Sequence, residues 1–381
     1  MNRQDGIFVA LAIVLGSVFY ILGNYNGLGM TYDSHLYVKI AGQLTKGDLL
    51  NAEGLHIKPP LYPLLVFCFG KSALLYLNFV ALFLNFVLLI LISKSIQSTL
   101  IRSLCLAILV FFTPTYLVHS FMWTEPYFML CLFGSFYTFL QYEKSGLNAW
   151  LYISIMLMLV LPFIRFAGIF IWLPVFIVCF ARATRKAKIT IAAISLCFLA
   201  IGMAWALSFE EGFLARWAQW TSPFRNMDFS IYTDNFRSFL EGLSMILLPQ
   251  KSPYILRMML SLLTIGILIF SSIRFFARDV KKEFWKSIPF IFITYYFLLH
   301  TVFRIEYYSA ERYLSPVYPL LIIAVFYFLD QKKAFLNLWS KRAIFLMIAW
   351  LILYSAARTT KNVLFWNEVR QFSNPVSRNV P

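Results

Sequence analysis

Residues 31–65, TYDSHLYVKIAGQLTKGDLLNAEGLHIKPPLYPLL, form the only long charged segment early in a chain that is otherwise mostly apolar. They separate an apolar run at residues 7–23 from a second at 72–93. That contrast decides the fold class. A chain of 381 residues that is 60% hydrophobic, 19% aromatic and 13% charged, with a mean hydropathy of +0.73, carries more apolar surface than one water-soluble domain can bury. A polar loop between its first two apolar runs therefore lies at the lipid boundary. Asp33, His35, Asp48, Glu53, His56 and Lys58 stand in that loop, which makes it the candidate active site.

Crossing about 30 Å of hydrocarbon takes roughly 20 helical residues. Apolar runs near that length recur at residues 6–23, 72–93, 102–118, 124–141, 147–163, 166–181, 189–208, 254–274, 287–303, 313–329 and 343–357. The expected fold is an all-α polytopic membrane protein of about eleven transmembrane helices, with interfacial helices in its first outer loop. The short pair around Pro162 reads as two spans or as a broken, re-entrant hairpin, and either way its ends share one side. Residues 1–381 form a single membrane domain, because no Gly/Ser linker, low-complexity tract or clear repeat divides it. Its large outer segments are the first loop, 24–71, a second loop, 209–252, and the tail from Arg358.

Charge orients the spans. One set of linkers holds Lys94 and Arg102, then Arg182, Arg185, Lys186 and Lys188, then Arg274, Arg278, Lys281, Lys282 and Lys286, then Lys332, Lys333, Lys341 and Arg342. This set is assigned to the cytoplasm, which puts the N-terminus inside and the candidate site outside. The opposite linkers carry most of the acids, among them Asp33, Asp48, Glu53, Glu125, Glu311 and Glu368. The net charge of +16 then reflects topology and attraction to anionic membrane lipids. It does not indicate nucleic acid, because no soluble basic domain carries it. The first apolar run follows Arg3 without a small-x-small cleavage site and is expected to remain as an anchor. Cys68, Cys105, Cys131, Cys179 and Cys197 lie in apolar runs without metal-type spacing, so packed thiols are expected. Short cytoplasmic loops without retention signals point to a bacterial inner membrane.

Within the first loop, Leu36, Ile40 and Leu44 recur every four residues beside Tyr37 and Ala41, while His35, Lys39, Gln43 and Lys46 face elsewhere. This is an interfacial amphipathic helix, started by Thr31 or Asp33 and stopped by Gly47. A second helix begins at Pro59 or Pro60, where a missing N–H costs nothing. Lys58 stands at its entrance, beside backbone amides that favour an anion such as phosphate. Asp33 has two compatible readings, N-cap and general base; Lys58 is either a snorkelling cation or a phosphate ligand.

Glu125, in Trp123-Thr124-Glu125-Pro126, is either helix-start chemistry or a carboxylate that needs a partner between apolar helices. Arg165 and Arg312 are either interface anchors or, with Lys58, a cationic cluster for a lipid-linked phosphate. His35, His56, His119 and His300 all fall on or near the outer side, but no pair has metal-helix spacing. No cofactor is expected with certainty, and a divalent metal has no support from spacing.

Asp33 after the first span, Tyr37-x-x-x-Ala41, Gly47, Lys58-Pro59-Pro60-Leu61 opening a helix, Thr124-Glu125 before the fourth span and Arg312-Tyr313-Leu314-x-Pro316 together resemble the GT-C glycosyltransferases. The likeness is to the branch of protein O-mannosyltransferases and lipid A aminoarabinose transferases. It covers most of the chain in order, and Lys-Pro-Pro-Leu is its most specific element. The resemblance implies a polyprenyl-phosphate sugar donor and an extracytoplasmic lipid, glycan or protein acceptor. It also implies that Asp33 and Glu125 are the family's two acids, with Lys58 and Arg312 near the donor phosphate. Members often carry a second acid directly after the first, whereas Ser34 follows Asp33 here.

The expected chemistry is a direct, inverting displacement. Asp33 is the base, Glu125 positions acceptor or sugar, and Lys58, Arg312 and Arg165 hold the leaving phosphate. Tyr37, His56 and Tyr313 complete the site as substrate contacts. Trp217, Trp220, Phe224 and Tyr232 in the second outer loop are either a sugar-binding lid or interface anchors. A transporter or lipid-linked sugar flippase is the main rival, disfavoured because the polar residues gather at one face without a repeat.

Overall fold

Apolar runs become helices in a computed structural model that describes residues 3–44, 58–207, 229–249, 251–275, 284–302, 307–332 and 338–373; no β-strand occurs among them. In chain order the helices are α1 (Arg3–Asn24), α2 (Tyr32–Leu44), α3 (Leu61–Ser93), α4 (Thr99–Val110), α5 (Thr113–His119), α6 (Glu125–Ser145), α7 (Asn148–Ile164) and α8 (Gly168–Arg182). There follow α9 (Arg185–Leu207), α10 (Phe229–Leu247), α11 (Tyr254–Arg274), α12 (Ile288–Val302), α13 (Tyr307–Leu314), α14 (Tyr318–Lys332) and α15 (Leu338–Ser373).

Local chemistry explains where these helices start and bend. The expected span at 102–118 divides into α4 and α5, bent by 42°. Pro114 cannot donate to the carbonyl one turn back, and side chains bond the carbonyls at the break: the Tyr116 hydroxyl donates to Val110 and the Thr359 hydroxyl to Phe111, each at 2.6 Å. In α3 the expected interfacial turn and the following span run on as one helix, broken at Gly70, whose φ of 74° suits a residue without Cβ. Where the sequence reading leaves a tail from Arg358, α15 continues to Ser373, because neither glycine nor proline interrupts residues 338–373.

The core is built where α6 and α7 cross. Met129, Leu132, Phe133, Phe136 and Phe139 recur along one face of α6 and meet Leu151, Ile155 and Met158 of α7. The Ser135 and Ser154 hydroxyls lie 2.8 Å apart at this crossing, fully buried. Lipid offers helices no hydrophobic reason to associate, so packing and such bonds, each worth about 0.6 kcal/mol on average, hold the pair.

Outer faces are equally apolar. Ile7, Leu11, Val14, Val18 and Ile21 form a stripe at three- and four-residue spacing on α1, each about half exposed, and Ile255, Met259, Leu263, Ile267 and Phe270 form a more exposed one on α11. Water would not tolerate surface of this kind, and a bilayer does. With its long apolar helices this makes the chain an integral membrane protein. Eleven crossings are expected, but among the described residues three helices are long and apolar enough to span: α3, α11 and Leu338–Glu368 of α15. The bent pair α4–α5 makes a fourth if it is one span. Several other apolar helices are short. α12 and α14 have 15 residues each, a rise of about 22 Å against roughly 30 Å of hydrocarbon.

Candidate functional site

The segment between α1 and α2 is stitched to the segment between α5 and α6, and this brings Asp33 toward Glu125. Gly29 N–H donates to the Ser120 carbonyl, and Met122 N–H donates to the Gly29 carbonyl, both at 2.9 Å. Phe121 lies so close that a Cβ on Gly29 would fall 2.4 Å from its ring. The ring has little room to retreat, because it stacks on Trp123 at 4.5 Å. One residue further on, the Trp123 indole N–H donates to the Thr31 hydroxyl at 3.0 Å.

Thr31 precedes the first turn of α2, and its backbone N–H donates to Ser34 Oγ at 3.0 Å, in the manner of half a capping box. Ser34, fully buried, donates in turn to the Met122 carbonyl at 3.0 Å. A carboxylate could not make that donation, which accounts physically for serine after Asp33. Asp33 therefore sits inside the first turn of α2 with its side chain committed elsewhere.

Among the described residues five charged side chains meet there. Lys58 Nζ lies 2.5 Å from Asp33 Oδ1, and Arg312 Nη1 lies 3.0 Å from Asp33 Oδ2, so both carboxylate oxygens are engaged. Arg312 also pairs through Nε with Glu125 Oε1, and its Nη2 lies 3.4 Å from Oε2. Arg165 pairs with the same Oε1 of Glu125. Aromatic rings hold the guanidinium groups from behind: Arg312 lies 4.1 Å from the Trp123 ring centre, and Arg165 lies 4.0 Å from that of Tyr313.

The cluster is graded in depth. Side-chain exposure is 25% at Asp33, 20% at Lys58, 13% at Arg312 and 11% at Arg165, and Glu125 has none. Asp33 and Lys58 thus form the accessible edge over a dry interior, and among the described residues three cations against two carboxylates leave one positive charge. Burial alone would raise the Asp33 carboxyl, but Lys58 first and Arg312 second outweigh it and bring it to about 2. Burial opposes the Arg312 charge, yet Glu125 above all holds it over the ordinary arginine range. Burial, reinforced by the Asp33 charge, also keeps the Tyr37 hydroxyl protonated above the ordinary phenol value.

An anion fits this surplus. Among the described residues no group of three or more His, Cys, Asp or Glu side chains is placed to hold a metal ion. Backbone amides contribute less than expected at the start of α3. Pro60 and Pro63 carry no N–H, so the positive edge is mainly Lys58 and Arg312.

The other expected residues are distributed as follows. Tyr37 is buried against Tyr62 at 4.8 Å, with Lys58 Nζ 5.8 Å from its ring centre, so it supports Lys58. Tyr313 backs Arg165 and accepts a hydrogen bond from Tyr295 at its carbonyl, 2.9 Å away. His56, Gly47, Trp217, Trp220 and Phe224 lie outside the described residues. Tyr232 falls in the first turn of α10. His35 is exposed, while His119 is buried on Asn85 and the Thr115 carbonyl and His300 is buried beside Tyr296.

Sequence reasoning gives Thr31 only the start of the first interfacial helix and assigns no role to Trp123 or Tyr62. The first two lock α2 onto the loop that carries Glu125; the signal was a tryptophan two residues before a buried acid. Tyr62 packs between Tyr37 and Tyr127 with a buried hydroxyl that has no hydrogen-bond partner among the described residues. No protein-family model, curated protein or solved structure matches the chain.

Proposed function

We propose that the chain is a membrane glycosyltransferase of the GT-C kind. It moves a sugar from a polyprenyl-phosphate donor to a lipid, glycan or protein acceptor on the extracytoplasmic face of a bacterial inner membrane. The observation that carries the reading is the convergence of Asp33, Lys58, Arg312, Glu125 and Arg165 at one end of a bundle of apolar helices. An acid at an accessible edge beside a surplus cation is what transfer from a lipid phosphate needs. In this reading about eleven apolar segments cross or re-enter the bilayer, the basic linkers are cytoplasmic, and the cluster faces out.

In the resting site Asp33, held near 2, is too weak a base for work at neutral pH. The donor phosphodiester carries one negative charge, as the carboxylate does, and competes with it for Lys58 and Arg312. As it takes these cations it frees an Asp33 oxygen and raises that group's proton affinity. The acceptor hydroxyl or amine then attacks the sugar anomeric carbon, and a new bond to carbon forms. The carbon–oxygen bond to phosphate breaks, its electron pair leaves with the lipid phosphate, and the acceptor proton passes to Asp33. Glu125 does not need to titrate; it fixes Arg165 and Arg312 in the dry interior.

The test is transfer of labelled sugar from a polyprenyl-phosphate donor by purified protein, with Asp33→Asn alongside. Wild-type transfer that falls by at least about 100-fold in the variant supports the reading, since general-base catalysis supplies roughly that much. Equal transfer by both proteins rejects the base. Movement of the lipid-linked sugar across vesicles without any transfer rejects the enzyme in favour of a flippase.

A further inference from the structure

At the opposite end of α3 from Asp33, helices α4, α14 and α15 enclose a groove of about 640 Å³, within the usual range of ligand sites. Leu104, Phe326 and Phe345 represent its walls, which are almost wholly apolar; Ser98, Lys341 and Arg342 form its polar end. This composition is divided by position, because Lys341 and Arg342 stand in the first turn of α15 and the groove runs on along that helix to Ile348. From Arg342 to Ile348 is about 9 Å of helix.

The two cations have no carboxylate partner among the described residues, and both are exposed. Asp330, an acid at this end, is buried and already accepts from the Gln97 and Ser98 backbone N–H groups at 2.7 and 3.2 Å. Lys94, Arg102 and Lys332 add further positive charge at the same end of the bundle. Trp339, 76% exposed and with its ring centre 5.7 Å from the Arg342 guanidinium carbon, is the side chain that settles at headgroup level.

From the apolar trough and the cationic end we infer that this groove binds one anionic glycerophospholipid of the surrounding bilayer. An acyl chain lies along Leu104, Phe326 and Phe345, and the phosphate rests on Lys341 and Arg342. A soluble phosphate would leave the trough unfilled, and a zwitterionic headgroup would set its own cation against two others. The site is independent of the Asp33 cluster and of the reaction proposed there.

Native mass spectrometry of the full chain in detergent, titrated with phosphatidylglycerol or phosphatidylcholine of equal chain length, tests the inference. One phosphatidylglycerol should be retained in preference to phosphatidylcholine. The double variant Lys341→Gln/Arg342→Gln should weaken it by roughly 30-fold, as expected for two cations near a lipid phosphate. Ile101→Trp should weaken both lipids by filling the trough. Arg185→Gln/Lys186→Gln, which alters the exposed basic start of α9, should leave binding unchanged. Equal retention of the two lipids, undiminished binding in the first double variant, an equal loss in the second, or full competition by soluble glycerol phosphate would each overturn the site.

Discussion

Replacing Arg312 by lysine keeps the charge and removes the fork, so it isolates what geometry contributes to the cluster. Arg312 spans two acids, with one nitrogen 3.0 Å from Asp33 and two others on Glu125, while its face rests 4.1 Å from Trp123. A lysine ammonium reaches one of these acids but not both. Charge-assisted bonds are worth about 1.5–3 kcal/mol each, and at least one is lost. Arg165 and Lys58 remain to hold Glu125 and Asp33, which limits the damage. A net cost of about 2–3 kcal/mol follows, which corresponds to a fall in kcat/KM of about 30- to 150-fold if the same contacts hold the donor phosphate. Arg312→Lys would be measured for thermal unfolding by intrinsic tryptophan fluorescence and for labelled-sugar transfer in parallel. Wild-type behaviour in both would refute the reasoning, since a point charge would then do everything the fork does. Unchanged stability with lost transfer would place the fork's role in the donor complex.

Two further outcomes can be checked on the same preparation. The Asp33 carboxyl is lowered from 3.8 to about 2 in the folded chain, so it stabilises above the unfolded value and loses that contribution as pH falls toward 2. The stability gap between wild type and Asp33→Asn should be about 2 kcal/mol at most near pH 7, reduced by partial exposure, and should close between about pH 4 and 2; a gap independent of pH contradicts the pairing with Lys58 and Arg312. Gly29→Ala puts a methyl group against the Phe121 ring and should cost about 1–3 kcal/mol. It should also shift Trp123 fluorescence by loosening the stack at 4.5 Å, and an unmoved spectrum would show that the two segments are not locked through that ring.

The helical class is legible because hydropathy is local: an apolar run long enough to need its backbone bonds inside itself becomes a helix in lipid. Helix starts at Pro60 and Pro126 follow from the same local rules. The breaks are less legible. Pro114 and Gly70 interrupt runs that hydropathy alone treats as uniform or starts in the wrong place. In the site, charges standing in apolar sequence announce themselves, and Asp33, Lys58, Glu125, Arg165 and Arg312 do meet. Their partnership is not readable in advance. Arg165 reaches Glu125 only because the α7–α8 turn packs beside the start of α6, and Arg312 serves two acids only because Gly29 ties α2 to Met122. Those are tertiary facts without a spacing rule.

Glu125 finds Arg165 after 40 residues, whereas Asp33 must wait 279 residues for Arg312. At about 5–20 residues per second of synthesis, the first partnership is available within about 2–8 s and the second only after about 14–56 s. Before Arg312 is made the chain already contains one counter-charge for each acid, Arg165 for Glu125 and Lys58 for Asp33. The late arginine then acts as a clasp, so the charge cluster can close only after most of the helices have been made.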